Sequence, residues 1–119
     1  MKAGRMELLQ QQEQFIGELL DGITEPWERI EVHYENFAWG DEHTEIYVAN
    51  RFLDGQQTDV DLSLEALDTL ASLKAHRPDG QDEPWTWLTF TLDAQGHYHF
   101  SYQYGVPPYV AREIEASKD

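Results

Sequence analysis

His97 and His99 stand two residues apart, a spacing that puts both imidazoles on one face of an extended strand. Two such nitrogens beside a carboxylate could hold a divalent metal. Asp59 and Asp61 share the same spacing, which would suit a general acid and a general base working as a pair. Each pattern has a plainer origin. A strand leaving a turn at Gly96 commonly exposes its histidines to solvent, and among 23 acidic residues an i, i+2 pair arises readily by chance. Gly40, Gly55, Gly80 and Gly96 fall in separate turns and build no phosphate-binding loop. With no cysteine, thiolate nucleophiles, thiolate metal sites and disulfides are all excluded. The residues point to a protein that is not an enzyme and has no catalytic residue, no metal and no cofactor. A small-ligand or metal-binding module on His97 and His99 is the alternative.

Charge is the strongest global signal. Twenty-three Asp and Glu oppose eight Lys and Arg, a formal charge of −15, and the acids are spread over the whole chain. No Lys or Arg lies between Arg5 and Arg29, Arg29 and Arg51, Arg51 and Lys74, or Arg77 and Arg112. Such a surface repels nucleic acid and anionic membranes and attracts basic protein surfaces, and the same acidity also serves solubility alone. Lys2 and Arg5 are followed by Glu7 and by Gln10 to Glu13 and not by an apolar signal core, so the expected compartment is the cytoplasm.

The elements that must carry these residues follow from periodicity. Leu8, Leu9, Phe15, Ile16, Leu19 and Leu20 recur at helical spacing over residues 6–21, with Gly22 to end the helix. Residues 28–37 alternate, with Ile30, Val32 and Tyr34 on one side. A turn over Trp39–His43 leads to a returning strand at 44–53 with Ile46, Val48 and Phe52 inward. Asp54–Gln57 then turns into a short strand containing Val60 and Leu62. Ser63 suits the N-cap of a helix bearing Leu64, Leu67, Leu70 and Leu73, which Pro78-Asp79-Gly80 stops before an acidic, mobile loop.

Residues 83–105 form the clearest unit, a β-hairpin. Asp93 and Gly96 suit the first and last positions of its turn, placing Leu92 opposite Tyr98, Phe90 opposite Phe100 and Leu88 opposite Tyr102. The other face pairs Thr91 with His99, Thr89 with Ser101 and Trp87 with Gln103. Pro107-Pro108 starts a short last helix. The order α-β-β-β-α-β-β-α predicts a single α+β domain over residues 1–119. Its antiparallel sheet has about five strands, with the helices packed on one face.

Trp85 and Trp87 point away from the expected core face, where either the N-terminal helix covers them or they are exposed, and Trp39 sits in a turn beside Asp41 and Glu42. Large aromatics bordered by carboxylates suit a protein-binding anchor. The candidate contact residues are therefore Trp39, Asp41, Glu42, Glu45, Asp59, Asp61, Trp85 and Trp87.

The segment Glu83-Pro84-Trp85-Thr86, then Phe90-Thr91-Leu92-Asp93 with Gly96, then Phe100-Ser101-Tyr102, resembles the hallmark of YezG-like immunity proteins. The upstream Pro26-Trp27-Glu28-Arg29-Ile30 and the helix over Leu64–Leu73 are similar to earlier parts of that family, so the resemblance spans roughly residues 8–105. It implies a bacterial immunity protein that neutralises a cognate polymorphic toxin, often a nuclease. The acidic surface would then occlude the toxin's basic one, and neither nucleic acid nor membrane would be a partner.

Overall fold

A computed structural model describes residues 2–75 and 84–117, with side chains from Glu7 onward. The elements are α1 (Lys2–Asp21), β1 (Arg29–Trp39), β2 (Glu42–Leu53), β3 (Gln56–Asp59) and α2 (Leu64–Ser72, extended by a 3₁₀ turn over Leu73–Ala75). They continue with β4 (Trp87–Asp93), β5 (Tyr98–Gln103) and α3 (Pro108–Ser117). The five strands make one antiparallel sheet in the order β3-β2-β1-β4-β5, so the chain folds as an α+β domain. The expected stop at Pro78-Asp79-Gly80 and the acidic loop after it lie outside the described residues.

Sheet and helices meet where the apolar positions require. Phe15 and Leu19 of α1 and Ala66, Leu70 and Leu73 of α2 bury against Ile30, Val32, Tyr34, Leu88, Phe90 and Leu92. The Phe15 ring stands edge-on to Phe90 at 5.3 Å and to Phe100 at 6.1 Å. Polar stitches hold the helices in register. Gln12 donates to the Tyr102 hydroxyl at 2.7 Å, and Thr69 donates to Glu18 at 2.6 Å. Ser63 caps α2 as its side chain predicts, accepting from the Ala66 amide at 3.1 Å. The β4–β5 hairpin has the expected pairing at every rung from Trp87–Gln103 to Leu92–Tyr98. Its turn is closed by the Asp93 carboxylate, which accepts from the Gln95 and His97 amides, and by Gly96 at φ +91°.

Four expectations are corrected. The helices do not share one face: α3 packs against β1 and β2 on the side opposite α1 and α2. Its first amides bond Glu35, whose neighbour Tyr34 faces the main core. On β2, the inward residues are Tyr47 and Ala49, paired with Tyr34 and Val32; Ile46, Val48 and Phe52 lie on the outer face. The cause is the turn: only Gly40 and Asp41 separate the paired Trp39 and Glu42, and this parity turns every β2 side chain over relative to a turn spanning 39–43. Third, β3 ends at Asp59, and Val60 and Leu62 follow it as buried residues of a connecting segment, tied by Val60 N–H to Ala49 O and Leu62 N–H to the Tyr47 hydroxyl. Finally, Leu64 is 78% exposed at the first helical position of α2, so Ala66, with Leu70 and Leu73, leads the buried stripe.

Candidate functional site

The eight candidate contact residues do not form one patch. Trp39 and Glu42 pair at the tip of the β1–β2 hairpin, with Asp41 exposed in the turn between them. The Trp39 indole reaches Thr44 Oγ1 at 3.4 Å. Glu45, three residues along, is exposed, but its carboxylate accepts the Tyr34 hydroxyl from the core face. Asp59 pairs with Asn50, eight residues along β2 from Glu42, a span of roughly 27 Å at a strand's rise of about 3.4 Å per residue. Asp61 is exposed on the segment beyond β3.

Trp85 must be withdrawn from the surface. It is wholly buried, its ring 6.1 Å from Tyr34 and 5.7 Å from Tyr102, and its indole donates to Leu73 O at 3.3 Å. The alternation that placed it outward applies only within β4, which begins at Trp87. At Thr86 the chain bends, with the Thr86 amide bonding Gln103 O and the Asn36 amide bonding Thr86 O, and Trp85 swings into the core. Trp87 keeps the predicted outer face, half-buried against His33 at 5.2 Å between ring centres.

His97 and His99 are exposed. His97 Nδ1 donates to Asp93 Oδ2 at 3.1 Å within the turn, and among the described residues no group of three or more potential ligands gathers to hold a metal. The hydrogen bond from the His97 amide, joined by those from its ring and from the Gln95 amide, holds the Asp93 carboxyl below its usual range.

A constellation absent from these expectations lies on the outer face. Glu35 is fully buried on β1, yet both its oxygens are used: Oε1 accepts the Val110 amide and Oε2 the Tyr109 amide, each at 2.9 Å. His33 Nε2 donates to the same Oε2 at 2.6 Å, and the Tyr109 ring stands edge-on to His33 at 4.9 Å. This carboxylate is the N-cap of α3, supplied from a strand. Pro108 has no N–H, Ala111 bonds back to Pro107 O at 2.8 Å, and Glu35 takes the two amides between them. One signal in the sequence pointed here: a helix opening at Pro107-Pro108 has no Ser, Thr, Asp or Asn in the capping position, so its acceptor must come from elsewhere in the fold. Because both oxygens are occupied by the fold, the carboxylate is a structural clamp.

A second network joins α2 to the sheet. Lys74 Nζ donates to Asn36 O at 2.7 Å and Oδ1 at 3.3 Å, Asn36 Nδ2 donates to the Tyr34 hydroxyl at 2.9 Å, and that hydroxyl donates to Glu45. Burial, with the bond to Glu45, raises the Tyr34 phenol far above its ordinary value, and burial alone lowers the Lys74 amine.

Every described Lys and Arg side chain is likewise engaged within the protein. Arg29 pairs with Glu31 at 2.9 Å and lies over the Phe52 ring; Arg51 bonds Pro26 O; Lys74 holds Asn36; Arg112 lies over Tyr109. The carboxylates of Glu13, Glu25, Asp41, Glu42, Asp59, Asp61 and Asp68 sit on exposed residues with no basic partner among the described ones. No described helix is long and apolar enough to cross a membrane. In comparison with known proteins, no family model and no curated protein matches this chain.

Proposed function

We propose that this protein is an immunity protein: it binds a cognate bacterial toxin domain, one with a basic surface and of the nuclease kind, and blocks it without chemistry of its own. The observation that carries the reading is the uncompensated acidity of the surface, a charge of −15 with each described Lys and Arg side chain already engaged inside the fold. A nuclease must present basic residues to hold phosphates, and an acidic surface meets those residues with fast, electrostatically steered association. The resemblance of the Pro84-Trp85-Thr86 hairpin to YezG-like immunity proteins supports the same reading, although that stretch serves the core more than the surface.

Inhibition is by occlusion, with carboxylates lying where phosphates would. The contact surface in this reading starts at the hairpin tip (Trp39, Asp41, Glu42) and continues through Trp87 along the outer face of the sheet. The protein acts in the cytoplasm of the toxin-producing cell. Co-expression with the product of the neighbouring upstream gene tests this. A co-purifying complex and protection of cells from that toxin are expected; absence of both contradicts the reading.

A further inference from the structure

Between the outer face of the sheet and the first turn of α3 runs a groove of about 340 Å³. That volume lies at the small end of binding pockets and suits one side chain or one small ligand. Its lining includes Glu31, His33, Asn50, Thr89, Thr91 and Tyr109, and no Lys or Arg. Strand register explains the grouping. Asn50, Glu31 and Thr91 form one cross-strand row over β2, β1 and β4, continued by Asp59 on β3, and His33 and Thr89 form the next row.

Asn50 makes this more than an acidic patch. It is 8% exposed, and its amide oxygen is buried without a hydrogen-bond partner, a condition shared among the described side chains only by Gln11 Oε1 on α1. Buried polar atoms are nearly always paired, because leaving one unpaired forfeits its hydration with nothing in return. The missing partner of a carbonyl oxygen is a donor. The Glu31 carboxylate gives Oε2 to Arg29 and offers Oε1 as an acceptor, Thr89 and Thr91 carry hydroxyls that can accept, Val48 is apolar, and the rings of Tyr109 and His33 form one wall. Acceptors on the floor with flat rings at the side match a planar cation with several N–H groups better than a compact ammonium.

We infer that this groove is a receptor site for a guanidinium group. Resting on the binding reading above, the group is an arginine side chain of the toxin; a free guanidinium metabolite presents the same head. Titration of the ¹⁵N-labelled protein with N-acetyl-L-arginine amide, against the neutral citrulline analogue at fixed ionic strength, tests the site without any toxin. Its failure is therefore separate from failure of the immunity reading. Saturable shifts centred on the Asn50 side-chain amide, Thr91 and Tyr109, with none from citrulline, are expected. Asn50→Leu removes the unpaired oxygen, so it leaves thermal stability unchanged or raised while weakening arginine-amide binding by about threefold to tenfold. Glu31→Gln, at the surface end of the groove, weakens it in the same direction. Equal responses to arginine and citrulline, shifts that spread over the acidic surface without saturating, or undiminished binding by Asn50→Leu would overturn the site. With the site established, a matching loss of toxin affinity in Asn50→Leu assigns the guanidinium to the toxin, and an unchanged toxin affinity assigns it to a free ligand.

Discussion

Glu35 shows how one side chain can take on a task its local sequence does not announce. It stands among Arg29, Glu31 and His33 on the polar side of an alternating strand, indistinguishable by pattern from its solvated neighbours. Only the arrival of α3, 74 residues later, turns it into a buried cap. Two charge-assisted bonds to helix amides and one from His33 depend on it. Glu35→Ala should cost about 2–4 kcal/mol of stability, measured by urea unfolding, and should abolish hydrogen-exchange protection at Tyr109 and Val110. Protection unchanged there would mean that α3 is held by other contacts.

Tyr34 makes a second prediction at this scale. Its phenol is raised well above the ordinary 10.0 by burial first and by its bond to Glu45 second. As pH rises, the unfolded chain releases this proton before the folded one does. The stability contributed is therefore complete below about pH 10 and is lost above it, toward the folded value, at up to about 1.4 kcal/mol per pH unit. Tyr102, also raised by burial, acts in the same direction. Denaturant midpoints followed between about pH 9 and pH 12 should fall steeply in the native protein and less steeply in Tyr34→Phe. Parallel slopes would contradict the assignment.

Among the elements, the β4–β5 hairpin was fully legible, because alternation on both strands and the Asp93–Gly96 turn agree on one register. The rest depended on features that periodicity does not carry. The facing of β2 turns on whether two or five residues form the Gly40–Asp41 turn, since Ile46, Val48 and Phe52 alternate as cleanly as Tyr47 and Ala49 do. The inward turn of Trp85 follows from the bend at Thr86, outside the strand whose pattern was extended to it. The candidate groove was not legible at all, since register alone brings Asn50, Glu31 and Thr91 together. The two tryptophans provide an element-scale test. Trp85→Ala should cost about 3–5 kcal/mol, as a large cavity in a packed core does, whereas Trp87→Ala, half-buried over His33, should cost about 1 kcal/mol. Calorimetry distinguishes them; equal losses would place both rings in the same layer.

At the scale of the whole molecule, charge outweighs any single contact. Exposed ion pairs contribute little to stability, but a net charge of −15 sets the field that an approaching partner meets. The hairpin tip, where Asp41 and Glu42 flank Trp39, projects that field at the end of the longest strand pair. Neutralising both, as Asp41→Asn with Glu42→Gln, should slow association with the proposed toxin partner by about threefold or more at low salt and leave dissociation nearly unchanged. A change confined to dissociation would make these residues packing contacts.

If the acidic surface captures a basic toxin domain, as proposed, salt must screen the encounter. Stopped-flow association of the protein with the purified domain of that proposed toxin, measured across about 20 to 500 mM salt, reads that screening. The predicted result is saturable 1:1 binding whose association rate falls by tenfold or more over that range. An association rate indifferent to salt, or no binding at any salt, would contradict it.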